Sequence, residues 1–238
     1  LFFKMRVLIA EQDHANYARL LAEAAPDLQV VTSGDSPELA RLAPDSPVGL
    51  GQPDLLASLL RQGHKPQWVQ STWAGITPLL ADGLSRDYRL TRAVGIFGQV
   101  MAEYMLTYML GHERDVLSRL VSQVERRWDD RPGRTLEGRQ VLIVGTGDIG
   151  QRVAEFLLPF GVVLRGVASS AREQAPFVEV AGLDQLPRMV EQADYVLNLL
   201  PDTPATHDLY DAALFKRFKP SALFINAGRG VAVVDGDL

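Results

Sequence analysis

Gly145, Gly147 and Gly150 are the residues of this 238-residue chain whose spacing speaks most directly to chemistry. They form a G-x-G-x-x-G run completed by Thr146, Asp148 and Ile149. Four apolar residues, Val141-Leu142-Ile143-Val144, lead into the run and read as a buried strand. An amphipathic pattern follows (Val153, Ala154, Phe156, Leu157, Phe160) and reads as a helix. That order is what a dinucleotide site requires. Gly145 permits the tight turn off the strand, and Gly147 lets backbone come within contact distance of a pyrophosphate. Gly150 lets the helix lie close on the sheet, with its N-terminal N–H groups facing the anion. A nicotinamide dinucleotide is the expected ligand.

The next strand bears on which dinucleotide. About twenty residues past the glycines, an acidic residue ordinarily holds the ribose 2′-hydroxyl. Here the stretch reads Val167-Ala168-Ser169-Ser170-Ala171-Arg172, with no carboxylate before Glu173. Two hydroxyls and a guanidinium suit a 2′-phosphate, which a carboxylate would repel. NADP(H) is therefore expected over NAD(H); the alternative is that Arg172 is a solvated charge opening the next helix. Asn198-Leu199-Leu200-Pro201-Asp202-Thr203-Pro204 leaves a later strand. Its expected place, with Leu200 and Pro201, is over the adenine and its ribose.

Two α/β domains are expected to carry these residues: 1–96, and 97–238 with the dinucleotide site. In the first, strand-like runs over 6–10, 28–32 and 68–70 alternate with helical runs over 17–25 and 55–61, the latter capped by Asp54. Residues 33–37 read as a turn, and Pro44, Pro47, Gly49, Gly51 and Pro53 as breaks. Such alternation favours a parallel sheet. A single helix over about 97–124, apolar at Met101, Met105, Leu106, Met109 and Leu110, is expected to bridge the domains. Strands over 141–144, 162–168, 195–199 and 223–226 follow it.

Bulk properties narrow the class. With 47% hydrophobic and 22% charged residues the composition is that of a globular protein. A net charge of −5 without a basic cluster argues against nucleic acid as a partner. The absence of cysteine excludes disulfides, thiolate nucleophiles and zinc–thiolate sites, and no metal site is assigned. No apolar run approaches a membrane span. The opening Leu1-Phe2-Phe3-Lys4-Met5-Arg6 is too short and too charged for a signal peptide, so Met5 reads as a natural start and the cytoplasm as the expected compartment.

Taken together, several segments resemble the D-isomer-specific 2-hydroxyacid dehydrogenases, in particular their glyoxylate/hydroxypyruvate reductase-like branch. They are Gln70-Ser71-Thr72-Trp73-Ala74-Gly75-Ile76, Gly98-Gln99-Val100-Met101-Ala102-Glu103-Tyr104, Leu136-Glu137-Gly138, the Leu200–Pro204 loop, and Phe224-Ile225-Asn226-Ala227-Gly228-Arg229-Gly230. The resemblance implies a flavodoxin-like substrate domain joined to a Rossmann-type doubly wound parallel sheet. It implies an enzyme that reduces small 2-keto acids to D-2-hydroxy acids, and a homodimer. Arg229 matches the substrate-orienting arginine; a buried, permanently charged fork could hold a carboxylate and polarise the adjacent carbonyl. Ala74, Gly75 and Ile76 match the loop whose amides receive the substrate carboxylate. Ala227, Gly228 and Arg229 match positions beside the cofactor. Trp73 reads equally as a pocket wall or a core tryptophan.

The resemblance also implies a catalytic histidine and a glutamate partner downstream of Arg229. The match breaks off at Val233-Val234-Asp235-Gly236-Asp237-Leu238, before either. His14, His64, His112 and His207 read as surface or packing residues. A C-terminally incomplete dehydrogenase, with an open sheet edge, is therefore expected. The alternative is a non-catalytic dinucleotide-binding or sensing module that lacks the His/Glu pair.

Overall fold

A computed structural model describes residues 4–238; Leu1–Phe3, the start of the opening apolar stretch, lie outside the described residues. The chain divides into two compact units, Leu1–Val94 and Gly95–Leu238. Each is built on an all-parallel five-stranded sheet, and the chain is α/β throughout.

In the first unit the strands are β1 (Arg6–Ala10), β2 (Gln29–Ser33), β3 (Val48–Gly51), β4 (Trp68–Ser71) and β5 (Arg89–Arg92). They lie in the order β2-β1-β3-β4-β5, the flavodoxin-like arrangement. Helices α1 (His14–Ala24), α2 (Ser36–Leu42) and α3 (Pro53–Arg61) connect them. Leu8 and Ala10 of β1 pack with Leu39, Leu56, Leu59 and Leu60 in its core.

Several expectations are corrected here. The stretch expected to break at Gly49 and Gly51 holds β3, because its glycines serve close approach: a Cβ on Gly51 would overlap the Ala10 carbonyl oxygen. The expected turn at 33–37 already contains the start of α2. Asp35 caps that helix by accepting the Glu38 N–H at 3.2 Å, and Pro37 sits in the first turn, where it needs no N–H. Gln52, and not Asp54, is the N-cap of α3, with Pro53 opening the helix. The edge strand β5 carries arginine at both ends, a composition that blunts edge pairing and hides its strand character.

The second unit contains α4 (Gly98–Glu113), α5 (Val116–Val124), β6 (Gln140–Val144), α6 (Asp148–Leu157), β7 (Val163–Ala168), β8 (Glu179–Gly182), α7 (Leu186–Val190), β9 (Tyr195–Asn198), α8 (Ala212–Phe215) and β10 (Leu223–Asn226). The strand order is β10-β9-β6-β7-β8, which is the Rossmann order 3-2-1-4-5 read from the other edge. Alternation along β6 splits the core between two faces. Val141 and Ile143 pack with Ala102, Met105 and Met109 of α4 and Val153, Ala154 and Leu157 of α6. Leu142 and Val144 pack with Leu186, Met189 and Val190 of α7 and with Tyr210 and Leu214. The sheet is thus doubly wound.

The single bridging helix expected over 97–124 is two helices. Asp115 turns left-handed (φ 51°) and breaks the run between α4 and α5. Both lie in the second unit. The methionine stripe of α4 is spent inside that unit, with Met105 and Met109 fully buried. By contrast α5 buries only Ser122, and leaves Leu117 81% and Val124 78% exposed beside Trp128 at 89%. Among the described residues no helix is long and apolar enough to cross a membrane.

Candidate functional site

β6 and β9 are paired neighbours between which the strand order reverses, and the carboxyl ends of the strands there carry three loops that close on one another. Gly145 turns there at φ 105°, and its N–H donates to the Val167 carbonyl at 2.8 Å. A Cβ on it would stand 3.0 Å from the Leu199 carbonyl carbon, so conformation and space both require glycine. A Cβ on Gly150 would overlap the Gly145 carbonyl oxygen, which confirms the close helix–sheet approach. Gly147 is different: as N-cap of α6, it has nothing within 4 Å of the position a Cβ would take. A helix N-terminus beneath an open cradle fits a dinucleotide pyrophosphate, since unpaired N–H groups and the helix dipole both favour an anion.

The remaining loop residues divide between framework and free groups. Asp148 Oδ2 accepts the Gly95 N–H at 3.0 Å, so its carboxylate ties down the start of the unit, while the Ile149 side chain packs into the core. Ser169 and Ser170 are exposed, and with Arg172 they line a cavity of about 880 Å³. The Arg172 N–H pairs with the Val180 carbonyl (3.1 Å) and the residue forms a bridge to the strand side, so it does not open a helix. Its guanidinium reaches back to the glycine loop: Nη2 donates to Thr146 Oγ1 at 2.6 Å.

Across the sheet, Leu200 is buried in the core, and the Pro201 carbonyl accepts the Thr206 hydroxyl at 2.7 Å. A Cβ on Gly228 would stand 2.7 Å from the Leu200 carbonyl oxygen, which locks the two loops together. Ala227 donates its N–H to the Asn198 carbonyl at 3.0 Å. The fully buried Asn198 donates to Asn226 Oδ1 (2.9 Å), which also accepts the Gly228 N–H (3.1 Å). Asn226 Nδ2 in turn holds the Arg229 carbonyl at 3.2 Å. The backbone beneath Arg229 is therefore fixed. Its side chain, expected to be buried, is exposed, and Nη1 bonds only the neighbouring Gly228 carbonyl at 2.8 Å.

In the first unit, the loop after β4 carries Ala74, Gly75 and Ile76. Their N–H groups meet no acceptor among the described residues, while Arg92 Nη1 holds the Ala74 carbonyl at 2.8 Å. Ile76 packs on the core. Thr72, just before, donates to the buried Glu11 carboxylate at 2.6 Å. Trp73 is 47% exposed, which excludes the core reading.

Gln151, Gln174 and Tyr210, outside every motif read from the sequence, hold these loops together with Thr146 of the glycine run and Asn198 at the end of β9. Gln174 Oε1 accepts from Thr146 Oγ1 and Arg172 Nε, and the Tyr210 hydroxyl donates to Asn198 Oδ1 at 3.3 Å. One sequence signal pointed there: Gly166 interrupts strand β7, and a Cβ on it would overlap the Thr146 methyl group.

Comparison with known proteins agrees with this geometry. Residues 106–238 match the profile described as "D-isomer specific 2-hydroxyacid dehydrogenase, NAD binding domain", and the chain belongs to that family. It is similar to glyoxylate/hydroxypyruvate reductase A of Photorhabdus laumondii, at 31% identity over 59% of this chain and 45% of that protein. Among solved structures, a D-isomer specific 2-hydroxyacid dehydrogenase family protein from Aeromonas salmonicida superposes with a TM-score of 0.91 at 37% identity, over 98% of this chain and 76% of that one. The NADPH-dependent glyoxylate/hydroxypyruvate reductase of Sinorhizobium meliloti, solved with NADP and sulfate, gives 0.81 at 25% identity, over 98% and 76%. The chain spans about half the length of the curated relatives it matches.

Proposed function

We propose that the protein is an NADPH-preferring reductase of small 2-keto acids of the glyoxylate or hydroxypyruvate type, forming D-2-hydroxy acids as a cytoplasmic homodimer. The observation that carries the reading is the open cradle at Gly147 above the N-terminus of α6. The Photorhabdus and Sinorhizobium relatives, named as glyoxylate/hydroxypyruvate reductases, support the substrate class, and the NADP in the latter supports the cofactor.

When bound, a reduced nicotinamide supplies the hydride. Backbone N–H groups at Gly147, Asp148 and Ile149 hold the pyrophosphate, with Gly145 and Gly150 shaping the turn. Ser169, Ser170 and Arg172 receive the 2′-phosphate by charge-assisted hydrogen bonds. Leu200, Pro201, Ala227 and Gly228 supply the opposite wall. Arg229 has its backbone held by Asn226 and its guanidinium nearly unspent. It orients the keto acid and stabilises negative charge growing on the carbonyl oxygen. The free N–H groups of Ala74, Gly75 and Ile76 receive the substrate carboxylate. The exposed apolar face of α5 with Trp128 supports self-association, since apolar patches of this kind mark interaction surfaces.

A second reading has its own observation. His207, in the loop after β9, is tied to Asp202 of the same loop at 2.6 Å. On that reading the chain binds a dinucleotide as a sensor and does no chemistry. Mixing the purified chain with NADPH and glyoxylate decides between them. Binding with keto-acid-dependent NADPH oxidation supports the reductase, even at a rate about 10²- to 10⁴-fold low, the share that general acid–base catalysis ordinarily contributes. Binding without any oxidation supports the sensor, and absence of dinucleotide binding refutes both.

A further inference from the structure

Resting on the cofactor reading above, we propose that Gln174 is a positioning residue that presets Arg172 for a 2′-phosphate and so sets the preference for NADPH over NADH. Arg172 follows β7 on an exposed segment, where a free arginine would give up its rotamer freedom on gripping a ligand. Here that freedom is already spent. Arg172 Nε donates to Gln174 Oε1 at 2.8 Å and Nη2 to Thr146 Oγ1 at 2.6 Å. Gln174 is itself held on every side. Its Nε2 donates to the Thr146 carbonyl (2.9 Å) and to Gln151 Oε1 (2.6 Å), and its Oε1 also accepts the Thr146 hydroxyl (3.0 Å). Gln151 is anchored in turn on Glu155 and the Ala175 carbonyl. Turning the Gln174 amide over would set its NH₂ against the Arg172 N–H, so the network admits one orientation.

The result is a guanidinium aimed along the phosphate loop, with Nη1 free of any hydrogen-bond partner among the described residues. Ser169 and Ser170, whose hydroxyls are likewise unpartnered, line the same cavity. Three carboxylates also line it. Glu179 is paired with Arg188; Glu173 and Asp184 remain, and the preset guanidinium has to outweigh their repulsion of a phosphate. A ribose bearing only a 2′-hydroxyl gains little from this arrangement, because the strong bonds need an anionic acceptor.

The test is the ratio of NADPH to NADH dissociation constants, measured by fluorescence titration for wild type, Gln174→Met, Gln151→Met, Arg172→Ala and the Arg172→Ala/Gln174→Met double variant. Gln174→Met should weaken NADPH about tenfold, roughly one lost charge-assisted bond, and leave NADH within about twofold. Gln151→Met, which removes only the outer anchor, should move the ratio the same way by less, and answers the question even if Gln174→Met fails to fold. The double variant should bind NADPH no more weakly than Arg172→Ala, because Gln174 acts through the arginine. Equal loss for both cofactors, or losses that add in the double variant, would overturn the positioning role. A wild-type chain that binds both cofactors equally would overturn the cofactor reading instead.

Discussion

Two polar clusters sit at opposite ends of the second sheet and spend their charge in opposite ways. At the amino ends of the strands, the Glu113 side chain is 3% exposed and accepts from Tyr195 (2.5 Å), Arg134 (3.1 Å) and Arg139 (2.9 Å). Asp194 beside it takes the Gln140 N–H and the Lys219 ammonium, both at 2.8 Å. Every carboxylate there is matched. At the carboxyl ends, neutral amides of Gln174, Asn198 and Asn226 fix the loops, and the two guanidiniums keep donors in reserve. Charge consumed within the protein ties α4 to β6 and β9. Charge held back by neutral partners is free for a ligand.

Removing the buried carboxylate is the hardest way to break this comparison. Glu113→Ala strands the buried Tyr195 hydroxyl, while Arg134 and Arg139, 47% and 33% exposed, can turn to water; a buried donor left unsatisfied costs about 1–3 kcal/mol. The second unit should melt below wild type in urea, while the NADPH to NADH affinity ratio of the folded protein stays put. A changed ratio would mean the two ends are not independent.

Acid should find the same end. Burial pushes the Glu113 carboxyl up, but the hydrogen bonds from Tyr195, Arg139 and Arg134 outweigh it and leave it below the usual carboxylate range. Burial likewise raises Asp194, and the Gln140 N–H and Lys219 bring it below normal. Both groups therefore stabilise the fold fully above the unfolded-state value of about 4, and that contribution is lost as pH falls through the lower folded values. The stability gap between wild type and Glu113→Gln should narrow steadily below about pH 4. A gap that is constant down to pH 2 would show that the fold does not hold the Glu113 carboxyl below its unfolded-state value.

Gly150→Ala probes the ligand end by space alone. Its methyl would overlap the Gly145 carbonyl oxygen and lean on Ile143, so α6 must shift outward at about 1–3 kcal/mol. Binding of both dinucleotides should weaken together, since the damage is to the cradle they share. Selective loss of NADPH would place the damage at the 2′ side and contradict the geometry.

What could be read in the sequence follows the same division. The glycine loop was legible because sterics write it into residue type: Gly145 and Gly150 have no substitute. Rossmann strands β6 and β9 announced themselves as apolar runs buried on both faces. Strand β3 did not, because Gly49 and Gly51, placed for tight neighbours, look like turn residues. The break at Asp115 was hidden because a left-handed aspartate leaves no mark on an otherwise helical pattern. The Gln174 clamp was illegible for a related reason. Apart from Arg172, its partners are 23 and 28 residues away in sequence, and glutamine is ordinarily a surface residue.

Arg172→Lys asks how much of the ligand end is charge and how much is shape. Lysine keeps the positive charge near the cavity but lacks the planar fork, so one ammonium cannot both rest on Gln174 and Thr146 and extend a separate donor to a phosphate. Because the Arg172 side chain is exposed, stability should change by no more than about 0.5 kcal/mol. NADPH should weaken about threefold to tenfold, less than with Arg172→Ala, and NADH should not move. If lysine serves as well as arginine, the site reads charge alone, and the preset geometry of the Gln174 network contributes nothing to cofactor choice. If lysine is as poor as alanine, charge without a held direction does no work there. The ligand end would then depend on its neutral amides as fully as the opposite end depends on its ion pairs.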